Sequence, residues 1–191
     1  MRSPRSALQV SDFDEAAHRD LFARIEDQGI RIESLTKLKA ADKQWKQKLY
    51  DLRWAIVQDV PAVEPPTKPS LSEFERMILD DPALDEDAWF VALDETKSTA
   101  AIKQPWVGMS NLWLNDLSRR RLDTGLTGVK RAYRRRGIAT ALKVCTIRFA
   151  QEVGAQSIET ENEENNPVLD INSKLGFKPK AAWISYRKDF S

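Results

Sequence analysis

Between residues 128 and 144 the chain reads GVKRAYRRRGIATALKV: Lys130, Arg131, Arg134, Arg135 and Arg136 crowd together, and the sequence turns apolar after Gly137. A short basic turn that ends in glycine and opens a helix directs backbone N–H groups and the helix N-terminus at an anion. A pyrophosphate suits such a turn. Two common nucleotide loops are excluded, because the chain has no G-x-x-x-x-G-K-[ST] and no G-x-G-x-x-G after a strand.

Such a turn works only if a strand delivers it and a helix leaves it. Ile138, Leu142, Cys145, Phe149 and Val153 mark that helix, with Gly154 to end it. Upstream, the apolar-rich stretches 88–95, 105–114 and 121–129, joined by short polar segments, suit an antiparallel meander. Downstream, QSIETEN (156–162) reads as a strand, a helix through Val168, Ile171 and Leu175 stops at Gly176, and AAWISYRK (181–188) supplies a last strand. Toward the N-terminus, about ten polar residues precede a helix with capping-box spacing at Asp12 and Glu15 and with Phe13, Ala17, Leu21 and Ile25 on one face up to Gly29. IRIESLTKL (30–38) alternates as a half-buried strand does, and Trp45, Leu49, Leu52 and Ile56 then share a helical face. Four prolines in PAVEPPTKP (61–69) forbid regular structure, after which Ser70 and Glu73 form a second capping box.

The positive charge is local. Thirty Lys plus Arg meet 29 Asp plus Glu, for a net charge of +1, and ETENEE (159–164) sets four acids on the neighbouring strand and loop. A nucleic-acid reader carries a broad basic face with interleaved aromatics, so nucleic acid is not an expected partner. One cysteine and one histidine leave no internal disulfide and no metal-ligand set, so no metal is expected. No run approaches the roughly 18 apolar residues of a span, and the start lacks a secretory apolar segment, so no membrane partner and a cytoplasmic location are expected. With 191 residues, 41 % of them hydrophobic, the chain has length for one domain with a sizeable core. A homodimer stays open.

Arg134 to Ala139 fit [RQ]-x-x-G-x-[GA], five residues after Val129 at a strand end, and NNPVLDINSKLGF (165–177) opens on Asn165 and closes on Gly176-Phe177. The first segment resembles motif A of the GCN5-related N-acetyltransferase (GNAT) superfamily, and the second is similar to a downstream segment of the same family. The resemblance covers about residues 30–188 and looks closest to a bacterial branch that includes tandem repeats, of which this chain has length for one. It implies an α/β fold of the α+β type, a mixed sheet with helices, formed by a single domain over 30–191, with 1–29 as an N-terminal extension helix.

The resemblance also implies an activity. The acetyl group of acetyl-CoA, a co-substrate, would move by direct attack to a primary amine of a small molecule or peptide. The alternative is a catalytically weak acyl-CoA-binding or regulatory domain with the same cleft. By this likeness Arg134, Arg135, Arg136, Gly137, Ile138 and Ala139 cradle the pyrophosphate, Thr127, Gly128 and Val129 border the pantetheine arm, and Asn165 and Asn172 lie near the coenzyme. The N–H of Val129 or its neighbour would donate to the thioester carbonyl. One branch of the family places a basic carboxylate eleven residues before motif A, which falls on Asp123; Glu33, Glu161 or an ordered water are the alternatives. In a regular strand Asp123 shares a face with Val129, and a bulge would change that. Many members carry a tyrosine, as acid for the departing thiolate, where this chain has Asn172. An amide has no proton to spare, which leaves Tyr186 or a water for the task.

Other chemistry-bearing residues have plainer readings. Cys145 lies on the apolar face of its helix and reads as a core thiol, His18 as a surface residue, and Trp106, Trp113 and Trp183 as packing residues that could also line an acceptor pocket.

Overall fold

A computed structural model describes residues 2–62, 64–97, 105–114, 120–162 and 166–184. Its strands are β1 Arg2–Gln9, β2 Ile30–Ser34, β3 Leu84–Asp94, β4 Trp106–Leu114, β5 Arg121–Thr124, β6 Gly128–Val129, β7 Ser157–Glu161 and β8 Lys178–Ile184. Its α-helices are α1 Arg19–Glu26, α2 Leu35–Ala41, α3 Trp45–Val57, α4 Leu71–Phe74, α5 Ile138–Glu152 and α6 Val168–Lys174. The strands form one mixed sheet in the order β2-β3-β4-β5-β7-β1-β8, with β6 also paired to β4. All pairs are antiparallel except β5 with β7, and α5 is the crossover that this parallel pair demands.

The apolar periodicities sort onto two faces. Leu49, Leu52 and Ile56 of α3 pack with Leu35 and Leu38 of α2 on Trp89, Val91, Leu93, Trp106 and Met109. On the other face α5 lies over Leu112, Leu122 and Ile158 through Val144, Ile147 and Phe149, and Leu21 and Ile25 of α1 join Ile138 and Leu142. Each such side chain contributes about 1.5–3 kcal/mol on burial. The Ser70 capping box is present: Ser70 N–H donates to Glu73 Oε2 at 2.7 Å and Glu73 N–H to Ser70 Oγ at 3.2 Å. Cys145 is buried, and burial pushes its thiol up to about 12, as fits a core residue.

Three expectations change. Residues 2–9 form a strand, and β1 lies inside the sheet between β7 and β8, so residues 1–29 supply more than an extension helix. The Asp12 box does not form: a 3-10 turn occupies Val10–Asp12, a second covers Ala16–His18, and α1 begins only at Arg19. The strand expected over 30–38 stops at Ser34, because Leu35 and Leu38, three apart, both turn into the core of α2.

Candidate functional site

β5 and β7 pair only through Arg121–Ser157, Leu122–Ile158 and Asp123–Glu159, and then part. A bulge accompanies the parting. Leu112 faces Thr124 and Met109 faces Gly128, so residues 125–127 carry one residue more than the opposing Ser110 and Asn111. Asn111 fills the broken ladder: its carbonyl takes Gly125 N–H at 2.9 Å and its Oδ1 takes Leu126 N–H at 3.0 Å. A Cβ at Gly125 would stand 2.5 Å from the Asn111 amide and 2.6 Å from the Trp113 indole, so the bulge requires glycine. Thr127 Oγ1 meets Ser110 Oγ at 2.8 Å on the α5 face.

The gap is a cleft of about 460 Å³, lined by Thr124 to Thr127, by Glu161, Asn162, Asn166 and Val168, and by Val60 to Ala62. Lys130 N–H bonds Val107 O on β4 at 2.8 Å. Backbone donors alternate along a strand, so Val129 N–H points the other way, to the open edge.

At one end of this cleft stands the basic turn. Arg135 has φ 63° and Gly137 φ 85°, and α5 follows at once, which leaves its first N–H groups without helical partners. Gly137 meets two demands. It takes a left-handed φ, and a Cβ there would lie 2.8 Å from Leu21 of α1. The arginines are largely committed to the protein. Arg131 and Arg134 both bind Asp59, whose carboxyl they hold below the usual range, Arg131 more strongly, against an opposing effect of burial. Arg134 Nε also donates to Val129 O at 3.0 Å. Arg136 Nε donates to Gln28 Oε1 at 2.8 Å, with its guanidinium 5.4 Å from the Tyr133 ring centroid. Arg135 is exposed and makes no hydrogen bond or ion pair among the described residues. Tyr133 anchors the turn by donating to buried Asp94 at 2.8 Å. Burial works against the Asp94 charge, but hydrogen bonds from Thr96 and Tyr133 and the Lys97 charge outweigh it and hold that carboxyl low.

Residues 47–177 match the family model for the acetyltransferase (GNAT) family. The chain belongs to that family. No curated protein matches it. Among solved structures, a GCN5-related N-acetyltransferase from Sphaerobacter thermophilus aligns with TM-score 0.62 and 16 % identity over 95 % of this chain and 49 % of its own. A glucosamine N-acetyltransferase region within a fungal multi-domain GH3 β-N-acetylglucosaminidase gives TM-score 0.65 and 14 % identity over 96 % of this chain and 20 % of that one. The NatC complex, solved with Gag peptide and CoA, gives TM-score 0.56 and 21 % identity over 77 % and 83 %. At these identities the likeness is one of fold, and the chain spans from a fifth to about half of the first two.

Within this GNAT fold the expected residues fall unevenly. Thr127 lines the cleft, Gly128 and Val129 follow it as β6, and Arg134, bonded to Val129 O, begins the turn through Arg135, Arg136 and Gly137 to Ile138 and Ala139 at the start of α5. Asn172 is 1 % exposed, with Nδ2 donating to Asn162 Oδ1 at 2.8 Å and Oδ1 buried without a partner among the described residues. Asn165, Tyr186 and the Trp183 side chain lie outside the described residues. The neighbouring Asn166 lines the cleft, and its Oδ1 caps Val168 N–H at 3.0 Å.

The bulge decides the carboxylates. Asp123 pairs with Trp113, and Trp113 stacks edge-on against Trp89 at 6.4 Å, so Asp123 faces the α2–α3 side. Val129 packs on the α5 side, so the two do not share a face. Glu161 lines the cleft, exposed. Glu33 sits on β2, three strands and roughly 14 Å from β5, paired with Lys37 at 3.1 Å and Arg31 at 3.2 Å. That separates it from the cleft.

Asn111, Asn162 and Asp59 escape a sequence reading, since each acts through contacts distant in the chain. The glycine at 125, inside the stretch 121–129 that otherwise reads as a strand, is the one local signal of the bulge. Among the described residues no helix is long and apolar enough to cross a membrane, and no group of His, Cys, Asp and Glu could hold a metal ion.

Proposed function

We propose that the chain transfers the acetyl group of acetyl-CoA to a primary amine of a small molecule or peptide by direct attack on the thioester. The observation that carries this reading is the parting of β5 from β7 beside a left-handed turn that opens α5. The turn offers the N–H groups of residues 135–139 and the Arg135 head to the pyrophosphate. The open edge of β6 offers strand-like backbone to the pantetheine arm, and Val129 N–H donates to the carbonyl oxygen as it becomes an oxyanion. The amine enters from the α2–α3 side, where Asp123, half-buried beside Trp113, takes its proton. Glu161, which lines the cleft itself, is the second candidate base.

The test is thiol release from acetyl-CoA over a panel of polyamines, amino acids, aminoglycosides and peptide N-termini. An amine-dependent rate is expected, with Asp123→Asn lowering it by about 10²–10⁴ while the acetyl-CoA thermal shift persists. A normal Asp123→Asn protein beside a dead Glu161→Gln protein moves the base to Glu161. The amide at position 172 favours a second reading, a catalytically weak acyl-CoA-binding domain. It is distinguished by a thermal shift with acetyl-CoA and no amine-dependent thiol release.

A further inference from the structure

The end of α3 reaches β6 at two neighbouring residues. Ile56 rests on Gly128 so closely that a Cβ there would stand 2.2 Å from Ile56 Cγ2. Asp59 follows, held in a helix-end turn by its N–H on Ile56 O at 3.0 Å. Its two carboxylate oxygens are divided between two arginines: Oδ1 accepts from Arg131 Nε at 2.8 Å and from Arg131 Nη2, and Oδ2 accepts from Arg134 Nη2. Arg134 then reaches on, because its Nε donates to Val129 O at 3.0 Å. One planar guanidinium therefore joins the end of α3 to the last carbonyl of β6.

These contacts fix the Val129–Lys130 peptide. Its N–H donates to Val107 O at 2.8 Å and its C=O accepts from Arg134, so both ends are held. Val129 stands opposite Gly108 in a pair that exchanges no hydrogen bonds, which turns the N–H and the C=O of Val129 alike away from β4. Arg134 occupies the carbonyl on that edge, and the N–H beside it is left for a ligand. On the other side of Asp59 the chain continues as Val60, Pro61 and Ala62, which line the cleft. Asp59 thus stands between the cleft wall and the group that meets the thioester. The arginine side chains are 80 % exposed at Arg131 and 40 % at Arg134, and ion pairs so exposed add little to stability. A displacement of about 1 Å near reacting atoms, by contrast, costs about a hundredfold in rate. The arrangement matters more for placement than for holding the fold.

We propose that Asp59 is a positioning residue for acetyl transfer: through Arg134 it sets the direction of Val129 N–H against the thioester carbonyl, and it braces the Val60–Ala62 wall against the same point. The proposal rests on the acetyl-transfer reading above. With the carboxylate gone, Arg134 can turn to solvent or to the pyrophosphate, and the Val129–Lys130 peptide keeps only its bond to Val107. The oxyanion then meets a misaligned donor. Coenzyme binding responds differently. The N–H groups of residues 135–139 stay in place and two guanidinium groups lose their internal anion, so affinity for the phosphates holds or rises. A rate that falls while affinity holds separates positioning from a general loosening of the fold.

The experiment reads the carbonyl band of acetyl-CoA, isotopically labelled at the carbonyl carbon and bound to the full chain, by infrared difference spectroscopy. In wild type the band is expected below that of free acetyl-CoA, because a hydrogen bond from Val129 N–H weakens the C=O bond. Asp59→Ala should move it back toward the free position and lower kcat for amine-dependent thiol release by about 10–100-fold, with the Kd of coenzyme A within about threefold of wild type or tighter. Arg134→Lys should move the band in the same way, since one ammonium on a flexible stem pairs with Asp59 without also holding Val129 O. A band unmoved by Asp59→Ala overturns the assignment, and so does a loss of coenzyme A affinity as large as the loss of rate. A wild-type chain with no thermal shift on adding acetyl-CoA overturns the acetyl-transfer reading, and the role of Asp59 falls with it. A wild-type band already at the free position, beside a normal thermal shift, sinks the positioning role alone.

Discussion

Two kinds of positive charge meet on helix α5, and they are held in opposite ways. At its N-terminus Arg131, Arg134 and Arg136 are at least partly exposed and bonded to Asp59 and Gln28, with Arg135 alone reaching outward. Deeper in the helix Lys143 is 1 % exposed and, among the described residues, has only an aromatic face for company. The surface group costs little to ionise and can be spent on shaping the turn and meeting an anion. The buried amine costs much to ionise and is poised to lose its proton. Density of charge in the sequence marks the first, whereas only burial marks the second.

The contrast can be broken most sharply at Lys143. Its folded pKa lies below the unfolded value near 10.4, so the folded chain binds fewer protons between about pH 7 and 10.4, and wild-type stability rises through that window. Lys143→Met should stabilise the fold by about 1–4 kcal/mol at neutral pH and flatten the rise, as read by denaturant unfolding across that range. An unchanged slope would mean that the amine is hydrated after all. At the turn, Gly137→Ala must place a Cβ against Leu21 and hold a left-handed φ; a loss of about 1–3 kcal/mol in thermal unfolding is expected. Arg135→Ala should leave stability alone and weaken acetyl-CoA binding by about tenfold at low salt, with a smaller loss at high salt. Arg136→Ala should do the reverse on a smaller scale, lowering stability by about 0.5–1 kcal/mol through its Gln28 bonds and leaving affinity within twofold. Equal losses of affinity in the last two would erase the distinction between the arginine that reaches out and the one that is tied in.

The legible parts of the molecule are those whose determinants sit close together in sequence. The Ser70 box, the glycine stops at 154 and 176 and the strand–turn–helix at 129–138 need only a few neighbouring residues, and all stand as expected. β1 escaped because Pro4 and a mixed polar run argue against an interior strand; the structure places Pro4 at a register shift against β8, where a missing N–H is tolerated. Strict alternation puts Asp123 on the face of Val129, and the single extra residue at 125–127 reverses that relation. Lys143 lies off the apolar stripe of α5 that runs from Ile138 to Val153. Ala139, Lys143, Thr146 and Ala150 form a second stripe, whose small residues flank the lysine, and it too is largely buried. A helix covered on two sides carries two such stripes, and polar members of the second pass for surface residues.

β1 has one more consequence, for the order in which the molecule comes together. Residues 2–9 pair with residues 157–161 and 178–184, across nearly the whole length of the chain. Contacts of such long span form late, because the entropy of closing so large a loop is lost before any pairing compensates it. During synthesis the strand leaves the ribosome long before either partner and must wait as an unpaired segment while β2 to β5 and α3 settle. Until it docks, β7 lacks its antiparallel neighbour and one wall of the cleft is unsupported. The capacity to bind coenzyme should therefore appear as the last event of folding.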